Sequence, residues 1–155
     1  MDLTTLCPRC FEEAVGPNGF CTRCGAAGEG GRTRYPQTLP LFSILQDRYL
    51  IGAVLGAGGF GITYLALDLA AQERCAVKEF FPAGLVHRGE DGCDVEMPAS
   101  RQEDVRYGLR RFCDEAQVLA SLDDCPSVVR VRDFFQWNRT AYMVMEFGDG
   151  PSLNQ

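Results

Sequence analysis

A chain of 155 residues has room for one ordinary domain, or for a small module beside a lobe. With 46% hydrophobic and 23% charged residues it has a globular composition and not that of a disordered segment. The net charge of −6 argues against a binder of nucleic-acid backbones, and no apolar run approaches the roughly 20 residues that span a bilayer.

The first six residues carry no positive region and no apolar core of a secretory leader, so the expected location is cytoplasmic. Two C-x-x-C turns come next: Cys7-Pro8-Arg9-Cys10 and Cys21-Thr22-Arg23-Cys24. Each turn brings two sulfurs to one side of a tight loop. Two such turns face to face offer four thiolates in a tetrahedron, the arrangement of a closed structural zinc site. Gly25 suits the strained end of the second turn, and Phe11 and Phe20 flank the cluster, placed to cover it. So short a segment has too little apolar surface to fold alone, and the metal would supply the folding energy. Disulfides do not suit a reducing compartment, and a redox C-x-x-C would need a βα context that is missing. Zinc held by Cys7, Cys10, Cys21 and Cys24 is the expectation, with iron in a rubredoxin-like site or a metal-free remnant as alternatives. Such a site has no open coordination position, so its expected role is structural or protein-binding. The pattern resembles the short zinc ribbons found at the ends of many bacterial proteins.

Residues 27–47 read as a linker, rich in glycine at first and stiffened by Pro36 and Pro40. Leu39, Leu41, Phe42, Ile44 and Leu45 are expected to dock on the strands C-terminal to them. A strand is expected over 49–56, then a glycine-rich turn with Gly56, Gly58 and Gly61 in the spacing G-x-G-x-x-G. Without Cβ atoms such a backbone can come close to a phosphate and aim its N–H groups at it. The spacing alone does not decide between a dinucleotide-binding turn, which leads into a helix, and a hairpin lid, which leads into a strand. Residues 61–68 alternate and are rich in β-branched and aromatic types, so a strand comes after the turn. A third strand covers 75–81, with Lys78 in its middle.

Residues 82–99 read as a long polar loop holding the only histidine, His87, which has no second histidine or placed nucleophile for a partner. Ser100 and Glu103 fit a capping box, and Val105, Leu109, Phe112, Ala116, Leu119 and Leu122 recur at helical steps, giving a helix over 101–122. Glu115 falls on the inward stripe, three residues past Phe112 and four before Leu119. Asp114 projects about 100° away. A lone carboxylate on that stripe would be costly without a partner. Two strands close the pattern, over 128–137 and 140–147, with a turn at Asn138-Arg139.

On these residues the stretch 49–153 resembles the N-terminal lobe of a serine/threonine protein kinase. The likeness is to bacterial kinases with the runs GGFGITYLA, here 58–66, and VKEFFP, here 77–82, with Ala76-Val77-Lys78 matching V-A-I-K. The resemblance implies an α+β fold: a five-stranded antiparallel sheet plus the helix called αC, over residues 48–155, behind a zinc ribbon at 1–26. It implies ATP as the cofactor and a protein as substrate or partner. Lys78 would hold the α- and β-phosphates, and Glu115 would hold Lys78. Leu55, Gly56, Ala57, Gly58, Gly59, Phe60 and Gly61 would form the lid, with Phe60 closing over the phosphates. Thr63, where such kinases commonly have valine, would join Val54 and Ala76 as a roof over adenine. Met145 would be the gatekeeper, and the backbone of Glu146 and Gly148 would bond the adenine edge.

Such kinases also need an H-R-D aspartate, an asparagine and a D-F-G aspartate for the attacking hydroxyl and magnesium. None is found in these 155 residues: Arg88-Gly89 comes after His87, and Phe135 comes after Asp133-Phe134. The expectation is therefore a kinase fragment, inactive by itself. The alternative is a non-catalytic protein-binding module of lobe plus ribbon. A dinucleotide-binding enzyme ranks last.

Overall fold

The computed structural model describes residues 5–28, 37–59, 61–121 and 130–147. Its centre is an antiparallel sheet. The strands, in chain order, are β1 (Ile44–Leu45), β2 (Tyr49–Ala57), β3 (Gly61–Asp68), β4 (Glu73–Phe80), β7 (Val131–Trp137) and β8 (Thr140–Glu146). They lie side by side as β1-β2-β3-β4-β8-β7. The five expected strands are all present, and the two-residue β1 adds a sixth at the edge. A strand does succeed the glycine turn: β3 pairs β2 from Asp68 opposite Tyr49 to Ile62 opposite Ala57. Asn138 and Arg139 both have positive φ, 52° and 62°, as the tight turn joining β7 to β8 requires.

Alternation splits β4 between two environments. Lys78 and Phe80 face a long helix, α1 (Gln102–Ser121), whose buried residues are Val105, Phe112 and Ala116. Val77 and Glu79 face the other way, into a core with Tyr49, Tyr64, Ala66 and Tyr142. Rings stack through that core: Tyr49 on Phe135 at 5.6 Å, and Phe135 on Tyr142 at 5.5 Å. Leu39 and Leu45 are buried against it, as the docking of residues 39–45 requires, while Ile44 stays exposed. No helix among the described residues is long and apolar enough to cross a membrane.

Residues 82–99 are not the plain polar loop expected. They form a two-stranded ribbon, β5 (His87–Arg88) with β6 (Val95–Glu96), and bury Val86 and Val95. The reason is Glu79, which is fully buried. A carboxylate out of water needs a partner of opposite charge and a full set of donors. Arg88 supplies both: its Nη1 and Nη2 each donate to one carboxylate oxygen. Tyr64 donates to Oε1 at 3.1 Å and Tyr142 to Oε2 at 2.6 Å. The remaining Arg88 hydrogen bonds reach Gln37 O and Cys93 O, both at 2.9 Å, and the Tyr64 hydroxyl at 3.3 Å. The Tyr64 oxygen also accepts the Leu39 N–H at 2.9 Å. Burial draws the Arg88 guanidinium down, but the Glu79 hydrogen bonds and carboxylate charge, together with the two tyrosines, raise it overall. Burial and the Glu79 carboxylate push both phenols up, so Tyr64 and Tyr142 stay protonated donors.

The entry to α1 also differs from expectation. Ser100 lies inside a 3₁₀ turn, Ala99–Arg101, which comes after Pro98 without a side-chain cap. The capping box therefore does not form, because the helix proper starts two residues later, at Gln102.

Removing one partner of the buried pair leaves the other charge stranded. Arg88→Met is expected to cost about 3–5 kcal/mol in chemical denaturation. The double variant Glu79→Gln, Arg88→Met should recover most of that loss. A double variant no more stable than Arg88→Met would show that the charge pair is not what holds the ribbon.

Candidate functional site

The turn between β2 and β3 holds the glycines. At Gly61 a Cβ would lie 2.6 Å from the Glu79 carbonyl oxygen, so the fold itself demands glycine there. Gly56, Gly58 and Gly59 are different. Among the described residues nothing lies within 4 Å of where their Cβ atoms would sit, and none of the three has a left-handed φ. Neither packing nor backbone strain accounts for them. The turn is closed by the Gly58 N–H on Gly61 O at 2.9 Å, and Gly59 O accepts the Ala83 N–H at 3.0 Å. Ala57 and half-exposed Leu55 lie at the end of β2 that leads into the turn. Phe60 lies outside the described residues.

Below the turn, the register places Thr63 opposite Lys78, Leu65 opposite Ala76, and Ala76 opposite Met145. These residues share the Lys78 face, since directly opposed residues in an antiparallel pair point the same way. Val54 does not join them. It is opposite Tyr64, on the Glu79 face, because β2 shifts register on both sides of it. Of the roof expected from Val54, Thr63 and Ala76, the register leaves Val54 on the other face. The Glu146 N–H is taken by Arg130 O at 3.0 Å, and Gly148 lies outside the described residues.

Lys78 Nζ meets Glu115 Oε1 at 3.5 Å. The pair expected from the sequence is therefore brought together, though not by burial. Glu115 is 51% exposed and Lys78 30%. The two ions line an open groove of about 1000 Å³, floored by Phe80, Leu85, Phe112 and Val118. A pair this exposed adds at most about 1 kcal/mol to stability. What it supplies is an oriented ammonium beside an open glycine turn.

His87 is exposed on β5, its Nε2 3.5 Å from Glu96 Oε1.

The second site is the cysteine cluster. The four Sγ atoms lie within 4.8 Å of one another, with Cys7 to Cys24 at 3.5 Å and Cys10 to Cys21 at 3.6 Å. A tetrahedron with metal–sulfur bonds near 2.3 Å has edges of about 3.8 Å, whereas a disulfide bond is about 2.05 Å. The cluster therefore has the dimensions of a metal site and not of two disulfides. In each knuckle two backbone N–H groups point at the leading sulfur. Arg9 and Cys10 aim at Cys7 at 3.4 and 3.5 Å, and Arg23 and Cys24 aim at Cys21 at 3.3 and 3.4 Å. The Cys24 N–H, first among these, draws the Cys21 thiol down to about 6, while burial pushes Cys10 up to about 12. Phe20 does not cover the cluster; it stays 51% exposed.

The ribbon rests on the sheet. Pro8 O accepts the Ala53 N–H at 2.9 Å, and Arg9 O accepts from Arg74 at 3.1 Å. Gly52 makes this possible. A Cβ there would lie 2.2 Å from Pro8 O and 2.6 Å from the Phe11 ring. Phe11 therefore packs on β2. Sequence patterning does not single out Gly52; its one signal is a glycine inside an otherwise apolar strand.

No family model matches the chain. It is 36% identical over 107 residues to calcium-dependent protein kinase 9 of Oryza sativa subsp. japonica, spanning 69% of this chain and 16% of that protein. It is 32% identical over 143 residues to serine/threonine-protein kinase F of Synechocystis, spanning 88% of this chain and 24% of that protein. It is 31% identical over 142 residues to serine/threonine-protein kinase PknG of Mycolicibacterium smegmatis, spanning 88% of this chain and 15% of that protein. Among solved structures, that titled PpkA-294 apo form superposes with a TM-score of 0.68 at 31% identity, over 72% of this chain and 39% of the other. The chain thus spans a quarter or less of the length of these curated relatives.

The ribbon can be tested in two ways. Purified protein should carry one metal ion per chain by elemental analysis, and Cys21→Ser should lose it; a metal-free parent would refute the metal reading. Gly52→Ala should detach the ribbon, seen as faster hydrogen exchange at the Ala53 amide with the cysteine knuckles still metallated.

Proposed function

We propose that this chain, whose homologues are serine/threonine protein kinases and whose sheet and helix have the fold of a kinase amino-terminal lobe, binds ATP beneath the turn from Gly56 to Gly61. It would serve as the nucleotide-holding lobe of a polypeptide that phosphorylates protein hydroxyls. The observation that carries this reading is the Lys78–Glu115 contact at 3.5 Å, formed on the face that the glycine turn overhangs.

Each residue has a task. Lys78 neutralises the α- and β-phosphates as a point charge, and Glu115 keeps the ammonium from swinging away. Gly56, Gly58 and Gly59 leave room for backbone N–H groups to approach phosphate, which accounts for glycines that the fold does not require. Phe60 closes the turn over the phosphates. Leu55, Ala57, Thr63, Ala76 and Met145 enclose the adenine, and Glu146 and Gly148 offer it backbone groups. ATP brings the phosphoryl group that is transferred. The aspartates and the asparagine that position magnesium and the attacking hydroxyl have no counterpart among these 155 residues. The four cysteines would hold zinc, with a structural task. On this reading residues 1–26 are the ribbon, 27–47 the connection and 48–155 the lobe.

Titration calorimetry with ATP tests the reading. Lys78→Met should weaken binding about tenfold or more, the worth of one charge-assisted contact to phosphate. Equal affinity in parent and variant would remove Lys78 from the site. The 155-residue chain with labelled ATP should transfer no detectable phosphate to itself or to a protein substrate, and measurable autophosphorylation would overturn that.

A further inference from the structure

α1 carries a glycine in its middle, at position 108. A mid-helix glycine costs the helix backbone entropy, and alanine is the better helix former. Gly108 has no left-handed φ that would call for it. Its surroundings do. A Cβ at 108 would lie 3.0 Å from Phe80 Cζ and 3.3 Å from Phe80 Cε1, closer than ordinary contact, which begins near 3.4 Å.

The Phe80 ring has little freedom to yield. It is 2% exposed and packs on Phe112 at 5.6 Å between ring centres, with Phe134 behind at 5.9 Å from Phe112. Its backbone is held as well, since Thr140 Oγ1 donates to Phe80 O at 2.7 Å. With the ring held, an added methyl has to be relieved by α1 moving off β4. Phe80 and Lys78 lie on the same face of β4, two residues apart. Gly108 and Glu115 are seven residues apart, within about 20° of the same side of α1. On this line strand and helix meet at Phe80 on Gly108 and Phe112, and at Lys78 on Glu115. The Lys78–Glu115 contact, at 3.5 Å, has little slack before the ions part.

We infer that Gly108 is a positioning residue: it sets the spacing of α1 from β4 at which the Lys78 ammonium meets the Glu115 carboxylate. The meaning of that spacing for ATP rests on the function proposed above, but the spacing itself does not.

A water-soluble carbodiimide tests it without nucleotide. The reagent activates the Glu115 carboxylate as an O-acylisourea. The unprotonated Lys78 amine attacks, an amide forms, and the reagent leaves as its urea. Only groups already in contact join efficiently, and the product is read by peptide mass spectrometry. The parent should give the Lys78–Glu115 amide. Gly108→Ala should keep its helical dichroism and lose the amide about tenfold, as ångström-scale displacements of reacting groups do. Adding Phe80→Leu, which makes room for the methyl, should restore it. Undiminished cross-linking in Gly108→Ala, no restoration by Phe80→Leu, or loss of helix in Gly108→Ala would each overturn the inference. A parent that cross-links but binds no ATP would sink the nucleotide reading and leave this one standing.

Discussion

The buried pair of Glu79 and Arg88 is the interaction on which the rest of the structure depends. One carboxylate, fully out of water, takes four hydrogen bonds from three side chains. Those side chains come from β3, β5 and β8, and Arg88 reaches further to Gln37 and Cys93. A single charge therefore gathers the docked segment before β1, three strands of the main sheet and the ribbon that leads to α1. Desolvation makes such an arrangement unforgiving, because a half-satisfied network is worse than an apolar core. Among the described residues no buried side-chain nitrogen or oxygen lacks a partner.

The same pair explains why Lys78 is available. Lys78 and Glu79 are consecutive, so a pleated strand must send them to opposite faces. If they could neutralise each other, neither would need a partner elsewhere. Pleating forbids that. Glu79 is satisfied inside by Arg88, and Lys78 is left to meet Glu115 at the edge of an open groove. The two ion pairs of β4 thus have opposite characters. The inner one is dry, fully bonded and structural. The outer one is wet, single-contact and weak, and it gains importance only from where it holds an ammonium. A similar division of labour is seen at Asp68. There Arg48 holds the carboxyl below its usual range and, with the Ala70 and Ala71 N–H groups, ties down the β3–β4 turn without touching the groove.

Much of this was legible in the sequence, and the exceptions have physical causes. Strand β3 could be read to its end residues because alternation and turn glycines agree. The cysteine cluster was legible because a short covalent spacing dictates its geometry. The Lys78–Glu115 contact was reached by resemblance and by a burial argument, and only the first was sound: Glu115 is half exposed. The face that Val54 takes is not legible, because a shift in register cannot be seen in a period of two. The ribbon at 82–99 is invisible to local propensity because its ordering comes from an arginine meeting a glutamate nine residues away in sequence. A signal did exist. Two adjacent charges inside an apolar strand cannot both face water, so one of them had to have a buried partner. Gly108 gave no hint, since a helix tolerates a lone glycine and its cause is the Phe80 ring across the interface.

The bare backbone of Gly52 has a consequence for how such a chain could have been assembled. The ribbon lands on main chain, with the Pro8 carbonyl occupying the volume that any side chain at 52 would fill. Joining a free-standing ribbon to a lobe is thus not a matter of tethering alone. A lobe with any larger residue there would carry its ribbon loose, like a bead on a string. One substitution to glycine turns the bead into a fixture, so a single codon can separate a passenger module from an integral one.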